Sequence, residues 1–312
     1  MNLVPEFFAA LDARDPVDAY HHYLAAHAPV LSAYWHNYVI DLDSPHAADV
    51  VRRTVTADRR DLRALLDSVD VVAAVEETAS RCAELFDADR PFDVYVMVGV
   101  GAANAGELVV AGRGIAFVCL EHFTGKPNPE TYGLGLSPAL LPLWVAHEVA
   151  HTVRYTSPVS KSDLARVIAE ADGRYDYWES GSRTTLRELL INEGLAVTAS
   201  QAAVPGFKPW DYLGYGRRQY RRLRELDAFL RRAVAPELDQ MGLGFRLRYL
   251  AGGTSPNTRL VSGKVIPERA GYYIGTRMAE AIVADVGIAA ALRTSAEEAG
   301  AADERATGMQ TA

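Results

Sequence analysis

The chain has 312 residues, 49% of them hydrophobic, which is material for one large domain or two small ones and excludes wholesale disorder. Its 40 acidic residues outnumber 32 basic ones, and the net charge of −8 excludes a general binder of nucleic acid or anionic membrane. No apolar run approaches the ~18 residues of a membrane span, no secretory pattern opens the chain, and Cys82 and Cys119 alone form no disulfide framework. The expected compartment is therefore the cytoplasm.

Residues 1–88 read as a helical N-terminal region. Asp15-Pro16 starts a helix carrying Tyr20, Tyr23 and Leu24, and a second runs through Val30, Tyr34, Trp35 and Tyr38. One further helical pattern spans Asp61 to Phe86, with Leu62, Leu65, Leu66 and Val69 at helical spacing. His21, His22 and His27 read as ordinary surface or core histidines. After Pro91 the character changes. Residues 92–98, 107–110 and 115–120 are rich in β-branched and aromatic side chains and predict three strands of an antiparallel or mixed sheet. Gly99 to Gly106 precedes a strand, whereas a dinucleotide fingerprint must open a helix, so it reads as a flexible β connection.

A helix is predicted from Ser137-Pro138 or from Pro142, and it contains His147-Glu148-Val149-Ala150-His151. Positions i and i+4 share one helix face, so the two imidazoles can hold one metal ion while Glu148 reaches the water beside it. This is the H-E-x-x-H arrangement of zinc hydrolases, with Glu148 as general base. A catalytic zinc needs a third protein ligand. No His or Cys follows His151, so a downstream ligand must be a carboxylate. In the helix predicted over 184–201, Glu193 falls in line with Leu186, Leu189, Leu190 and Val197 on the apolar side. A carboxylate there is costly unless it binds a metal or an Arg. Glu188 falls toward the polar face and reads as solvated. Residues 162–168, between the two motifs, predict a short helix.

The basic cluster Arg217 to Arg224 sits in a helix-like stretch to Arg232, diluted by Glu225 and Asp227, and reads as a solvated face. Another helical stretch begins near Ala270 and carries Tyr272, Tyr273, Arg277, Met278 and Ile282. Residues 294–312, rich in Ala, Gly, Glu and Thr, read as a disordered tail.

Asn192-Glu193-Gly194-Leu195-Ala196 resembles the N-E-G-x-A signature that carries the glutamate ligand of gluzincins, notably the M1-type aminopeptidases. With H-E-x-x-H upstream, the pair also resembles an uncharacterised bacterial family of predicted zinc-dependent proteases. The 41 residues between His151 and Glu193 are about twice the usual gluzincin spacing. The resemblance implies an α+β chain, with a helical region (1–88), then a zinc hydrolase domain (89–293) that holds a small sheet and a mainly helical, thermolysin-like part. It implies one Zn2+ on His147, His151 and Glu193, and a peptide substrate. Tyr272, with Tyr273 as the alternative, matches the Y-x-x-G segment that supplies the transition-state tyrosine, although an aromatic pair can equally pack a helix start. Glu121 stands where the G-x-M-E-N signature places its amine-holding glutamate, but the Gly, Met and Asn are missing. The function expected is a zinc metallopeptidase, in one form an aminopeptidase. The alternatives are hydrolysis of a non-peptide amide and a non-catalytic, metal-stabilised binding module.

Overall fold

The computed structural model describes residues 1–308. Six helices come first: α1 (Val4–Leu11), α2 (Pro16–Ala26), α3 (Ala28–Tyr34), α4 (Ala47–Thr56), α5 (Arg60–Ser68) and α6 (Val71–Leu85). Asp15 caps α2 by accepting from the Asp18 N–H, with Pro16 at the first helical position. The single helix expected from Asp61 to Phe86 is two. Val69 is extended, and Asp70 caps α6 by accepting from the Ala73 N–H, a break that unbroken apolar spacing conceals.

Strands β1 (Phe92–Met97), β2 (Ala105–Val110) and β3 (Arg113–Cys119) form a mixed sheet in the order β1-β3-β2. β1 runs parallel to β3, and β2 pairs antiparallel with β3 through a two-residue turn, Ala111-Gly112, both at positive φ. Such turns match the twist of the paired strands. A short hairpin, β4 (Pro127–Asn128) with β5 (Gly133–Leu134), leads to the central helix α7 (Leu141–Thr156). Pro142 lies in its first turn, where no backbone hydrogen bond is lost. Every residue from Leu143 to Tyr155 is buried, because α7 is covered by the sheet on one side and by helices on the others. Gly114 allows the close approach of strand and helix: a Cβ there would lie 2.8 Å from Thr152 Cβ.

Beyond α7 the chain is helical: α8 (Asp163–Glu170), capped by Ser162; α9 (Tyr177–Arg183); α10 (Leu186–Ala203), capped by Thr185; α11 (Pro209–Tyr212); α12 (Arg217–Glu225); α13 (Asp227–Val234); and α14 (Leu243–Tyr249). The helix expected over Arg217 to Arg232 is broken at Leu226. A two-residue hairpin, β6 (Leu260–Val261) with β7 (Lys264–Val265), precedes α15 (Ala270–Val286), α16 (Ile288–Ala291) and α17 (Ala296–Thr307). The small mixed sheet within a mostly helical chain is an α+β arrangement.

Helices α10 and α15 cross with their backbones in contact. A Cβ on Gly194 would lie 2.0 Å from Gly275 O, and one on Gly275 would lie 1.9 Å from Leu190 O. Only paired glycines permit this approach.

Two expectations are corrected here. Residues 294–312 do not read through as a disordered tail: Ser295 and Glu298 form a capping box, and Ala296, Ala299 and Ala302 are buried. Residues 309–312 lie outside the described part. Glu188 is not solvated but fully buried, paired with the equally buried Arg154 at 2.9 Å and bonded by the Ser162 hydroxyl at 2.6 Å. One hydrophobic core runs from Leu3 to Ala302. No described helix is long and apolar enough to cross a membrane.

Candidate metal centre

His147 and His151, one turn apart on α7, turn their Nε2 atoms toward each other at 3.2 Å. Glu193, brought in by α10, sets Oε2 at 3.3 Å from His147 Nε2 and 3.5 Å from His151 Nε2. Donors about 2.05 Å from a tetrahedral ion stand about 3.3 Å from one another. The three atoms are therefore spaced as three donors of one tetrahedral ion are. Glu193 Oε2 is buried and has no hydrogen-bond partner, the state of an acceptor made for a cation. These three residues are positioned to bind a metal ion.

Packing orients the rings, since both Nδ1 atoms are buried and unpartnered. The His147 ring lies between Trp144 (centroids 5.6 Å apart) and Tyr272 (6.3 Å). The His151 ring stacks on Tyr155 at 5.7 Å, and Tyr155 stacks on Tyr175 at 5.5 Å. Arg246 donates to the Tyr175 hydroxyl at 2.8 Å and fixes the far end of that column.

Glu148, buried on α7, has its carboxylate within 4.8 Å of a His151 nitrogen and of Glu107, a buried residue of β2. Tyr38 donates to Glu107 Oε2 at 2.9 Å, and Tyr155 donates to Oε1 at 3.3 Å. Asn192 in turn donates to the Tyr155 oxygen at 3.0 Å. The asparagine that precedes the glutamate ligand thus anchors the ring that orients His151. Burial, then the charge of Glu107, pushes the Glu148 carboxyl well above its ordinary value. Burial lowers His147. At His151 the same burial is outweighed by Glu193 and Glu107, and the imidazole is held up at about 9. Glu193 is raised by burial but, facing both imidazoles, ends well below the carboxylate range. Of the two imidazoles, His151, which faces both Glu193 and Glu107, has the higher proton affinity.

The other sequence candidates divide. Tyr272 lies against His147, with its phenol pushed up by burial and then by Glu193, so it stays protonated. Tyr273 points to the opposite side of α15, donates to Asp227 at 2.9 Å and lines a cavity of about 860 Å³ away from the histidines. Glu121 is buried, and its two oxygens accept from the N–H groups of Gly99 (2.9 Å) and Gly101 (3.0 Å). The glycine connection after β1 thus cradles an anion, but one that belongs to the chain itself.

In comparisons with known proteins, no family model, no curated protein and no solved structure matches this chain. The reading of the centre therefore rests on its own residues.

Sequence reasoning missed Glu107, Trp144, Tyr155 and Arg269. Glu107 left one signal: it alternates with buried Val109 in an apolar strand, where a solvated acid is not expected. Trp144 and Tyr155 left another, three residues before His147 and four after His151 on the same helix, and only Arg269 becomes a neighbour of the centre through folding alone.

Proposed function

We propose that this chain is a zinc-dependent peptide hydrolase of gluzincin type, in which α7, α10 and α15 form a thermolysin-like catalytic unit. The observation that carries the reading is the 3.2–3.5 Å triangle of His147, His151 and Glu193, with the Glu148 carboxylate beside it. Two imidazoles and one carboxylate suit zinc. When bound, zinc supplies Lewis acidity and makes water a nucleophile at neutral pH. Glu148, beside the centre, would take a proton from an attacking water and return it to the leaving amine. Its place between the centre and Glu107 suits a group that must both take and give a proton. Tyr272 donates a hydrogen bond to the developing oxyanion, without a change of its own charge. The Tyr155–Glu107–Tyr38 network holds Glu148 and His151 still while this happens.

The aminopeptidase form is not carried forward, because Glu121, the residue available to hold a substrate amine, is bonded to Gly99 and Gly101. A second reading, hydrolysis of a small non-peptide amide, is favoured by one observation. All three ligands are buried, and Glu193, the most accessible, is only 8% exposed, which suits a small substrate.

The test is a mass-spectrometric digest of a mixed peptide library by zinc-loaded native protein and its Glu148→Gln variant. Native cleavage that falls by at least ~10²-fold in the variant is the expected result. Turnover of small amides without peptide cleavage would transfer the assignment to the second reading. If neither is turned over, the hydrolase reading fails.

A further inference from the structure

We propose that Arg269 anchors a substrate carboxylate, so that the chain acts on short peptides, cutting within about three residues of a free C-terminus. The inference rests on the hydrolase reading and names the substrate class for the same centre.

Arg269 is the residue before α15, and its guanidinium carbon lies 4.4 Å above the Tyr272 ring. That ring is 6.3 Å from the ring of the ligand His147. Two short steps thus connect the cation to the metal centre. An extended chain advances about 3.3–3.6 Å per residue. A carboxylate seated on Arg269 therefore lies at most about three residues from a carbonyl held at the centre.

Among the described residues the Arg269 side chain forms no ion pair; it meets the Tyr272 side chain and makes a long contact to Gly214 O at 3.5 Å, while the charge of Glu193 acts on it from the metal centre. The neighbouring Glu268 is directed elsewhere, to Arg259 at 3.4 Å and the Gly253 N–H at 3.3 Å. Arg269 is held in place through its backbone, since Tyr215 donates to its carbonyl oxygen. A guanidinium stacked on a phenol keeps its N–H edge free for a planar, two-oxygen acceptor.

A second donor borders the same place. Trp144 is 6% exposed, and its Nε1 is buried with no acceptor. A Cβ placed on Gly214 would lie 3.1 Å from Cζ2 and Cη2 of that indole and 3.2 Å from Arg269 Nη1. The bare Gly214 thus lets the guanidinium and the indole, whose buried N–H has no acceptor, lie side by side, where a larger residue would part them. Trp144 also packs on His147, so the two donors and the metal centre share one wall.

The sign of the nearby charge decides which end of a peptide is read. The cation Arg269 faces the centre, whereas the acid suited to an amine, Glu121, is sealed inside by backbone N–H groups.

The experiment uses N-acetylated tripeptides that end in a free carboxylate, and the same peptides ending in a carboxamide. Their binding is measured on the zinc-loaded Glu148→Gln protein, and their cleavage by the native protein. The free acids should bind about tenfold or more tightly, and be cleaved with a kcat/KM higher by a similar factor, mainly through KM. Adding Arg269→Gly should erase the difference. Arg269 has φ of +55°, a conformation that suits glycine, so this variant should melt no lower than the native protein, which separates lost recognition from lost folding. Arg269→Lys should restore part of the preference. Equal binding of acid and amide, or a preference that survives Arg269→Gly, would overturn the proposal. An Arg269-dependent preference in a protein that cleaves no peptide would sink the hydrolase reading alone and leave the anchor standing.

Discussion

Replacing Gly194 with alanine tests whether the crossing of α10 and α15 sets the metal centre. The new Cβ would lie 2.0 Å from Gly275 O, 2.1 Å from Gly275 C and 2.7 Å from Thr276 N. Carbon and oxygen approach no closer than about 3.3 Å without repulsion, so the helices must part by about 1.3 Å at this point. Such overpacking costs about 1–3 kcal/mol, and at roughly 2–4 °C per kcal/mol the melting temperature should fall by about 2–12 °C. Glu193 is the adjacent residue and moves with the helix. A ligand atom must stay within about 0.2 Å of its place, so zinc affinity should fall by at least about tenfold. Calorimetric melting of the ion-free protein reads the first effect, and zinc titration reads the second. Gly244→Ala is the control, because a Cβ there meets nothing within 4 Å and should stabilise its helix by about 0.5–1 kcal/mol. A Gly194→Ala protein that melts with the native one and binds zinc equally well would refute the argument.

Two further outcomes follow from the charges. His151 is held up at about 9 in the ion-free protein, and a metal binds the neutral ring, so below that pH binding must expel a proton. Zinc affinity should therefore weaken by up to about tenfold for each unit of pH lost between about 8.5 and about 6.5; titration in buffers of different ionisation enthalpy measures it, and a pH-independent affinity with no proton release would contradict it. Glu188→Ala leaves Arg154 buried without its carboxylate, which should cost about 3–5 kcal/mol in denaturant unfolding. One zinc per chain should still bind at the unfolding-free end of that series, and lost stoichiometry would mean that Glu188 is a ligand.

The legible part of the site is the part written in helical spacing. His147, Glu148 and His151 lie within two turns, and Glu193 stands out as an acid in an apolar line, so all four declare themselves before folding. The same logic fails for Glu188. It assumes that α10 has a wet face, but α10 is buried nearly all round, and Glu188 meets Arg154 where water was expected. Low apolar contrast hid α17, whose packed face is built from alanines, and a turn of only two residues hid the break between α5 and α6. Glu107 comes from a strand and Arg269 from the start of α15, and their nearness to the centre is a property of the crossing elements, not of any local pattern.

Tyr38 belongs to the N-terminal helical region, yet it donates to the carboxylate that lies against Glu148. The candidate metal centre is therefore not portable. A transplant of residues 89–308 would carry His147, His151, Glu193 and Glu148, but would leave Glu107 short of one of its two tyrosines and open to water. What the sequence divides at about residue 88 is joined by a single phenol, and the smallest inheritable unit of this chemistry includes both sides of that join.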